Sequence, residues 1–209
     1  MKYAQHLRNA LFAAAAAALL VSGCAGIPRV SEQQAHDALK TSFSERGQAK
    51  LDRLEQDEVQ KTCSYGPGAA PSKEVLDALE KAQLAAIKFP ADGKLLGDWR
   101  AGERIAQTGT GKQYSDNAAV PAGANCYACH QITPQEISYG TIGPSLLGYG
   151  KVRGNSPAIQ RYTYGKIYNS NAYAACSNMP RFGHQNILTE QQLKDVTALL
   201  LDPDSPVNK

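Results

Sequence analysis

Cys126-Tyr127-Ala128-Cys129-His130 sets two thiols two residues apart and puts an imidazole directly after the second. At that spacing two cysteines can add to the two vinyl groups of one haem while the next side chain reaches its iron. Two other chemistries use paired thiols. A thioredoxin-like dithiol does not require the adjacent histidine and belongs near a βαβ pattern, which this sequence lacks; a zinc knuckle wants further Cys or His at short spacing. Neither rival fits. The stretch therefore predicts one covalently attached haem c, held at Cys126 and Cys129, with His130 ligating the iron on one side.

Working outward, two helices bracket this motif. Gly97 to Ala106 reads as a short helix with Asp98 at its start and small residues, Ala101 and Gly102, that permit a close crossing. Thr189-Glu190-Gln191-Gln192 has the pattern of a capping box, followed by Leu193, Val196, Leu199 and Leu200 at helical spacing and a stop at Asp202-Pro203. Between them, Gly140 to Gly183 is rich in Gly, Pro, Asn and Tyr and shows neither sustained helical nor alternating periodicity. Such a stretch needs something rigid to wrap around. The expected fold is all-α, a class I cytochrome c-like domain over residues 91–209 with an N-terminal helical extension over residues 24–90.

The second axial ligand follows by elimination. Beyond the initiator, the chain holds one methionine, Met179, and the spare imidazoles of the exported chain are His36 and His184. Met179 lies in Cys176-Ser177-Asn178-Met179-Pro180, a polar loop where core packing explains a methionine poorly and ligation explains it well. Met179 is the expected ligand and His184 the alternative. A thioether raises the reduction potential, whereas paired imidazoles lower it. Gly143-Pro144 follows His130, where a proline carbonyl could accept the imidazole Nδ1–H and orient the ring; it could also be merely a turn.

The N-terminal part carries no catalytic motif. Ser31 to about Lys61 has helical spacing through Ala35, Ala38, Leu39, Leu51 and Leu54, with an interruption at Gly47. Pro71 to Lys88 reads as a second helix, capped by Ser72, with Leu76, Leu79, Gln83 and Ile87 on one face. Two short helices bury little surface alone, so this extension is expected to pack on the haem domain, with Phe89 to Gly93 as the seam.

Residues 1–23 form an export signal: Lys2 and Arg8 precede an uncharged apolar run from Ala10 to Val21. The run is too short to cross ~30 Å of hydrocarbon as a permanent helix. Leu20-Val21-Ser22-Gly23-Cys24 also resembles a bacterial lipobox, so Cys24 is either a lipidated N-terminus or lies near an ordinary cleavage site among small residues. The expected location is the periplasm, with membrane attachment only through a lipid on Cys24. Loss of residues 1–23 leaves 20 basic against 19 acidic residues, a formal charge of +1. With neither a basic stripe nor interleaved aromatics, nucleic acid is not an expected partner.

Cys63 and Cys176 remain. In an oxidising compartment the default is a disulfide, which here would tie the extension to the Met179 loop; the alternative is a free Cys176 thiol performing sulfur chemistry.

Gly140-Thr141-Ile142-Gly143-Pro144-Ser145-Leu146, the stretch Tyr162 to Asn171, and Cys176-Ser177-Asn178-Met179-Pro180-Arg181-Phe182-Gly183 together resemble the sulfur-oxidation cytochrome family SoxX, as do Leu188 to Gln192 and Ser205-Pro206-Val207-Asn208. The resemblance covers about residues 95–209. It implies a monohaem subunit paired with the cytochrome SoxA in a SoxAX complex, an L-cysteine S-thiosulfotransferase that joins thiosulfate oxidatively to a cysteine of the carrier SoxYZ. Catalysis belongs to SoxA in that family. This chain would accept the released electrons and pass them to a downstream cytochrome c, with Cys126, Cys129, His130 and Met179 in the haem-binding positions. A freestanding periplasmic electron carrier is the alternative.

Overall fold

A computed structural model describes residues 30–209; the expected export signal and Cys24 lie outside the described residues. The chain divides into two units, one ending at Phe43 and the other spanning Ser44–Lys209. In the first, α1 (Glu32–Ser42) starts from Ser31, whose hydroxyl accepts the Gln34 N–H while the Gln34 side chain returns to the Ser31 N–H. This reciprocal cap satisfies two amide donors that a helix start leaves unpaired. None of its residues is buried.

The second unit is helical, and among the described residues its only β feature is the isolated bridge between Arg46 and Ala49. The helical spacing that continues past α1 does not give one long helix. The chain turns at Gly47, forms a 3₁₀ turn at Leu51–Leu54, and re-enters a helix only at α2 (Glu58–Cys63), capped by Asp57. Next comes α3 (Lys73–Ala85), with Ser72 as its cap and Leu79 and Gln83 buried. The buried Asn169 amide donates to the Gln83 carbonyl and side-chain oxygen, tying α3 to the segment after α6.

The centre of the unit is the crossing of α4 (Trp99–Gln107) and α7 (Glu190–Leu201). A side chain at Gly102 would run into the backbone carbonyl of Asp195 and the Leu199 Cβ, so glycine there brings the two backbones together. Asp195 also accepts the Asp98 N–H at 2.9 Å, which fixes the start of α4 on the middle of α7. Every residue from Leu193 to Leu201 is buried, including Lys194, whose ammonium meets Asp92 and Glu190 at 3.3 Å. The expected capping box at Thr189 and Gln192 is present. At the far end, Ser205 and Asn208 donate to the Leu199 and Leu200 carbonyls, and Asn208 Oδ1 accepts the Gly150 and Lys151 N–H groups that open α5 (Tyr149–Arg153).

One helix departs from the periodicity-based expectation. α6 (Pro157–Tyr168) runs through the stretch that lacks a helical pattern. The pattern is absent because the buried residues, Thr163, Tyr164, Gly165, Ile167 and Tyr168, crowd into the last six positions and include a threonine and a glycine, while the first turns lie nearer the surface. The legible signal is the start, Ser156 as cap and Pro157 at the first helical position.

Candidate functional site

After α4 the chain makes a long loop and is led back to the same helix: Ala124 N–H donates to the Ile105 carbonyl and Asn125 N–H to the Thr108 carbonyl, both at 2.9 Å. Gln192 of α7 reaches the Ala122 carbonyl at 2.7 Å from the other side. Asn125 then takes a left-handed conformation, φ +46°, which asparagine tolerates better than most residues, and Cys126–Ala128 form a 3₁₀ turn. The Cys129 and His130 N–H groups both donate to the Cys126 carbonyl, so the two thiols and the imidazole lie on one tight turn. Tyr127 anchors it, with its ring buried and its hydroxyl 3.1 Å from that of Thr133.

The chemistry of the four described cysteines divides cleanly. Cys63 and Cys176 form a disulfide, so the sulfur chemistry that required a free Cys176 has no thiol to use. Cys126 and Cys129 are free thiols despite their closeness in sequence. Burial pushes the Cys126 thiol up to about 12, which keeps it protonated at neutral pH. Among the described residues no three of His, Cys, Asp and Glu cluster as a metal site, and no strand accompanies the thiols.

His130 is held by a backbone carbonyl. Its Nδ1 lies 2.7 Å from the Pro144 carbonyl. A carbonyl only accepts, so the Nδ1–H donates to it and Nε2 is the ring nitrogen that this bond does not use. The segment carrying Pro144 runs beside the motif through bonds from Gly140 to Tyr127, Gly143 to Cys129 and Leu146 to Gln131. A Cβ at Gly143 would fall on the imidazole ring, so the glycine leaves room for it. Two free thiols on one turn and an oriented imidazole fit covalent haem c.

Met179 is half-buried against the main core, which also takes in Cys126 and Leu146. Its loop is secured on one side by Ser170, whose hydroxyl donates to the Met179 carbonyl, and by Asn171, which accepts the Ser177 N–H. On the other side stand the disulfide and the buried guanidinium of Arg181, paired with Asp57. Burial alone would raise the Asp57 carboxyl, but the Gln60 N–H and Arg181 outweigh it and hold it below the usual range. His184 belongs to this polar group as well; burial lowers its pKa and Arg181 adds to the effect. No sequence signal marks Asp57 as the partner of Arg181, 124 positions away, although a charged residue two positions after Met179 is a hint that something meets it.

Among the described residues no helix is long and apolar enough to cross a membrane. The Cytochrome c family profile matches residues 101–202, from within α4 to the end of α7. The chain is also 39% identical over 184 residues to a protein of Aquifex aeolicus (strain VF5) named an uncharacterized lipoprotein, the match covering 87% of this chain and 85% of that one. With its haem-type thiol turn set between the two crossing helices, the chain is a cytochrome c domain protein and belongs to the same family as the Aquifex protein.

Proposed function

We propose that this protein is an exported monohaem cytochrome that transfers single electrons, with residues 91–209 as the haem domain and 24–90 as its extension. Cys126 and Cys129 would hold haem c through thioethers, with His130 Nε2 and the Met179 thioether as axial ligands. The observation that carries this reading is the bond from His130 Nδ1–H to the Pro144 carbonyl, with His130 on the same turn as the two thiols. The bound haem would supply one reversible electron at its iron. The chain's own part would be to orient these side chains and tune the potential: the Pro144 carbonyl would strengthen His130 as a donor, and a methionine ligand would raise the potential.

The finer reading is a subunit of a SoxAX-type complex in the periplasm, accepting electrons as SoxA joins thiosulfate to the SoxYZ carrier and passing them to a cytochrome c. Its support is the motif resemblance over about residues 95–209. A lipid on Cys24 is part of the proposal; it is supported by the lipobox-like Leu20 to Cys24 and by the lipoprotein name of the Aquifex relative.

The test is purification from the native host, followed by native mass, haem count and N-terminal peptide mass. One haem on this chain in a complex with a second cytochrome is the expected result. A one-haem monomer overturns the subunit reading in favour of a freestanding carrier, and an unmodified N-terminus overturns lipidation.

A further inference from the structure

The six-residue helix α2 touches the Met179 loop at both of its ends. Its cap, Asp57, pairs with Arg181, and its last residue, Cys63, is bonded to Cys176. Met179 lies between these two anchor points. A helix of this length is ~9 Å from end to end, so α2 works as a short rigid bar laid across the loop. Val59, the second residue of α2, is buried, which seats the bar at its Asp57 end. Beneath it lies a cleft of about 820 Å³ lined by Asp57, Cys63, Cys176, Met179 and Arg181 among others. The disulfide and Met179 thus face one space open to small molecules.

We propose that α2 is a clasp that sets how firmly Met179 stays on the iron, and that the Cys63–Cys176 bond is its lock, opened by a dithiol reductant. This rests on Met179 being an axial ligand. Opening is thiol–disulfide exchange: the dithiol gives two electrons and two protons, Cys63 and Cys176 become thiols, and the reductant closes to its own disulfide. The iron is not a reactant. With the lock open, Asp57–Arg181 and the bonds from Ser170 and Asn171 still hold the loop, so it loosens without leaving the protein. An external ligand can bind only when Met179 is away, and its apparent affinity scales with the fraction of time the site is open.

The holoprotein tests this directly. Carbon monoxide binding to the ascorbate-reduced protein, with and without dithiothreitol and with free thiols counted, reads the open fraction of the ferrous site. Imidazole titration of the ferric Cys63→Ser/Cys176→Ser variant reads it without any reductant. The expected outcome is about a tenfold gain in apparent affinity in both, reversed on reoxidation in the first, with helix content unchanged by circular dichroism. Unchanged affinities with two thiols exposed overturn the clasp, and a bond that stays oxidised under dithiothreitol overturns its reductive opening. If the unreduced wild type already lacks the red absorption band of methionine-ligated ferric haem, the Met179 assignment falls instead.

Discussion

The Pro144 carbonyl accepts the Nδ1–H of His130 across 2.7 Å, and Gly143, one residue earlier, leaves the space in which the imidazole lies. Both contacts act on the ring, one by direction and one by room. Gly143→Ala is therefore expected to displace the imidazole or strain the segment, at about 1–3 kcal/mol for an overpacked site. The check is haem stoichiometry together with the midpoint potential. A variant with full haem content and wild-type potential would show that the ring has more freedom than this packing allows.

The α4–α7 crossing gives a second expectation. A methyl group at position 102 meets the Asp195 carbonyl, which belongs to helix backbone and cannot swing aside. Gly102→Ala should cost about 1–3 kcal/mol or more, a fall of about 2–4 °C in melting temperature per kcal/mol in a chain of this size. Gly109→Ala, outside the crossing, serves as the comparison. Equal melting temperatures for the two would mean that the helices can shift apart at no cost.

The disulfide joins positions 113 residues apart. Closing a loop of ~100 residues lowers unfolded-state entropy by the equivalent of ~4.7 kcal/mol in the chain model, and measured bonds typically give ~2–4. Replacing both cysteines by serine should lower stability by about that amount in guanidinium titration, with a steeper m-value because the uncrosslinked chain expands further. A lower stability at unchanged m would place the loss in the native packing around α2 instead.

How much of this was legible in the sequence follows from where the signal was local. The thiol turn, the capping box at Thr189 and Gln192, the cap at Ser72 and the small residue at Gly102 are each determined by neighbours a few positions away, and each lies where the spacing puts it. α6 was not legible because its burial is confined to the C-terminal half and falls on a threonine and a glycine as well as apolar residues, which blurs the spacing that periodicity detects. The pairing of Asp57 with Arg181 was not legible because it depends on how two distant loops pack, and neither residue carries a mark of its partner. The Cys63–Cys176 pair was reachable only because two cysteines remained once the haem motif was assigned.

Acid should weaken the Asp57–Arg181 contact. Since the folded Asp57 carboxyl sits below its ordinary value, its contribution is complete above the unfolded value of ~3.9 and is lost as pH falls through the lower folded value. Asp57→Asn should be less stable than wild type at neutral pH, and the difference should shrink below about pH 4. Denaturant midpoints of both proteins along a pH series provide the test. A gap that persists at low pH would assign the loss to the α2 cap, which also uses this side chain.

Met179 and His184 compete for one assignment, and their surroundings predict different results on substitution. Met179 is packed against the same core as Cys126, whereas His184 lies with Asp57 and Arg181 and is kept neutral by burial and by that guanidinium. Met179→His should therefore keep a six-coordinate haem, lose the red methionine band and lower the potential, within the span of ~0.8 V that axial ligands command. Met179→Ala should leave one coordination position open to imidazole. His184→Gln should leave the haem spectrum and potential near wild type, since that side chain is assigned to the polar group beside the loop. Spectroelectrochemistry on the three holoproteins decides between them: a spectrum altered by His184→Gln and untouched by Met179→Ala would transfer the sixth position to His184 and predict a low-potential bis-histidine carrier.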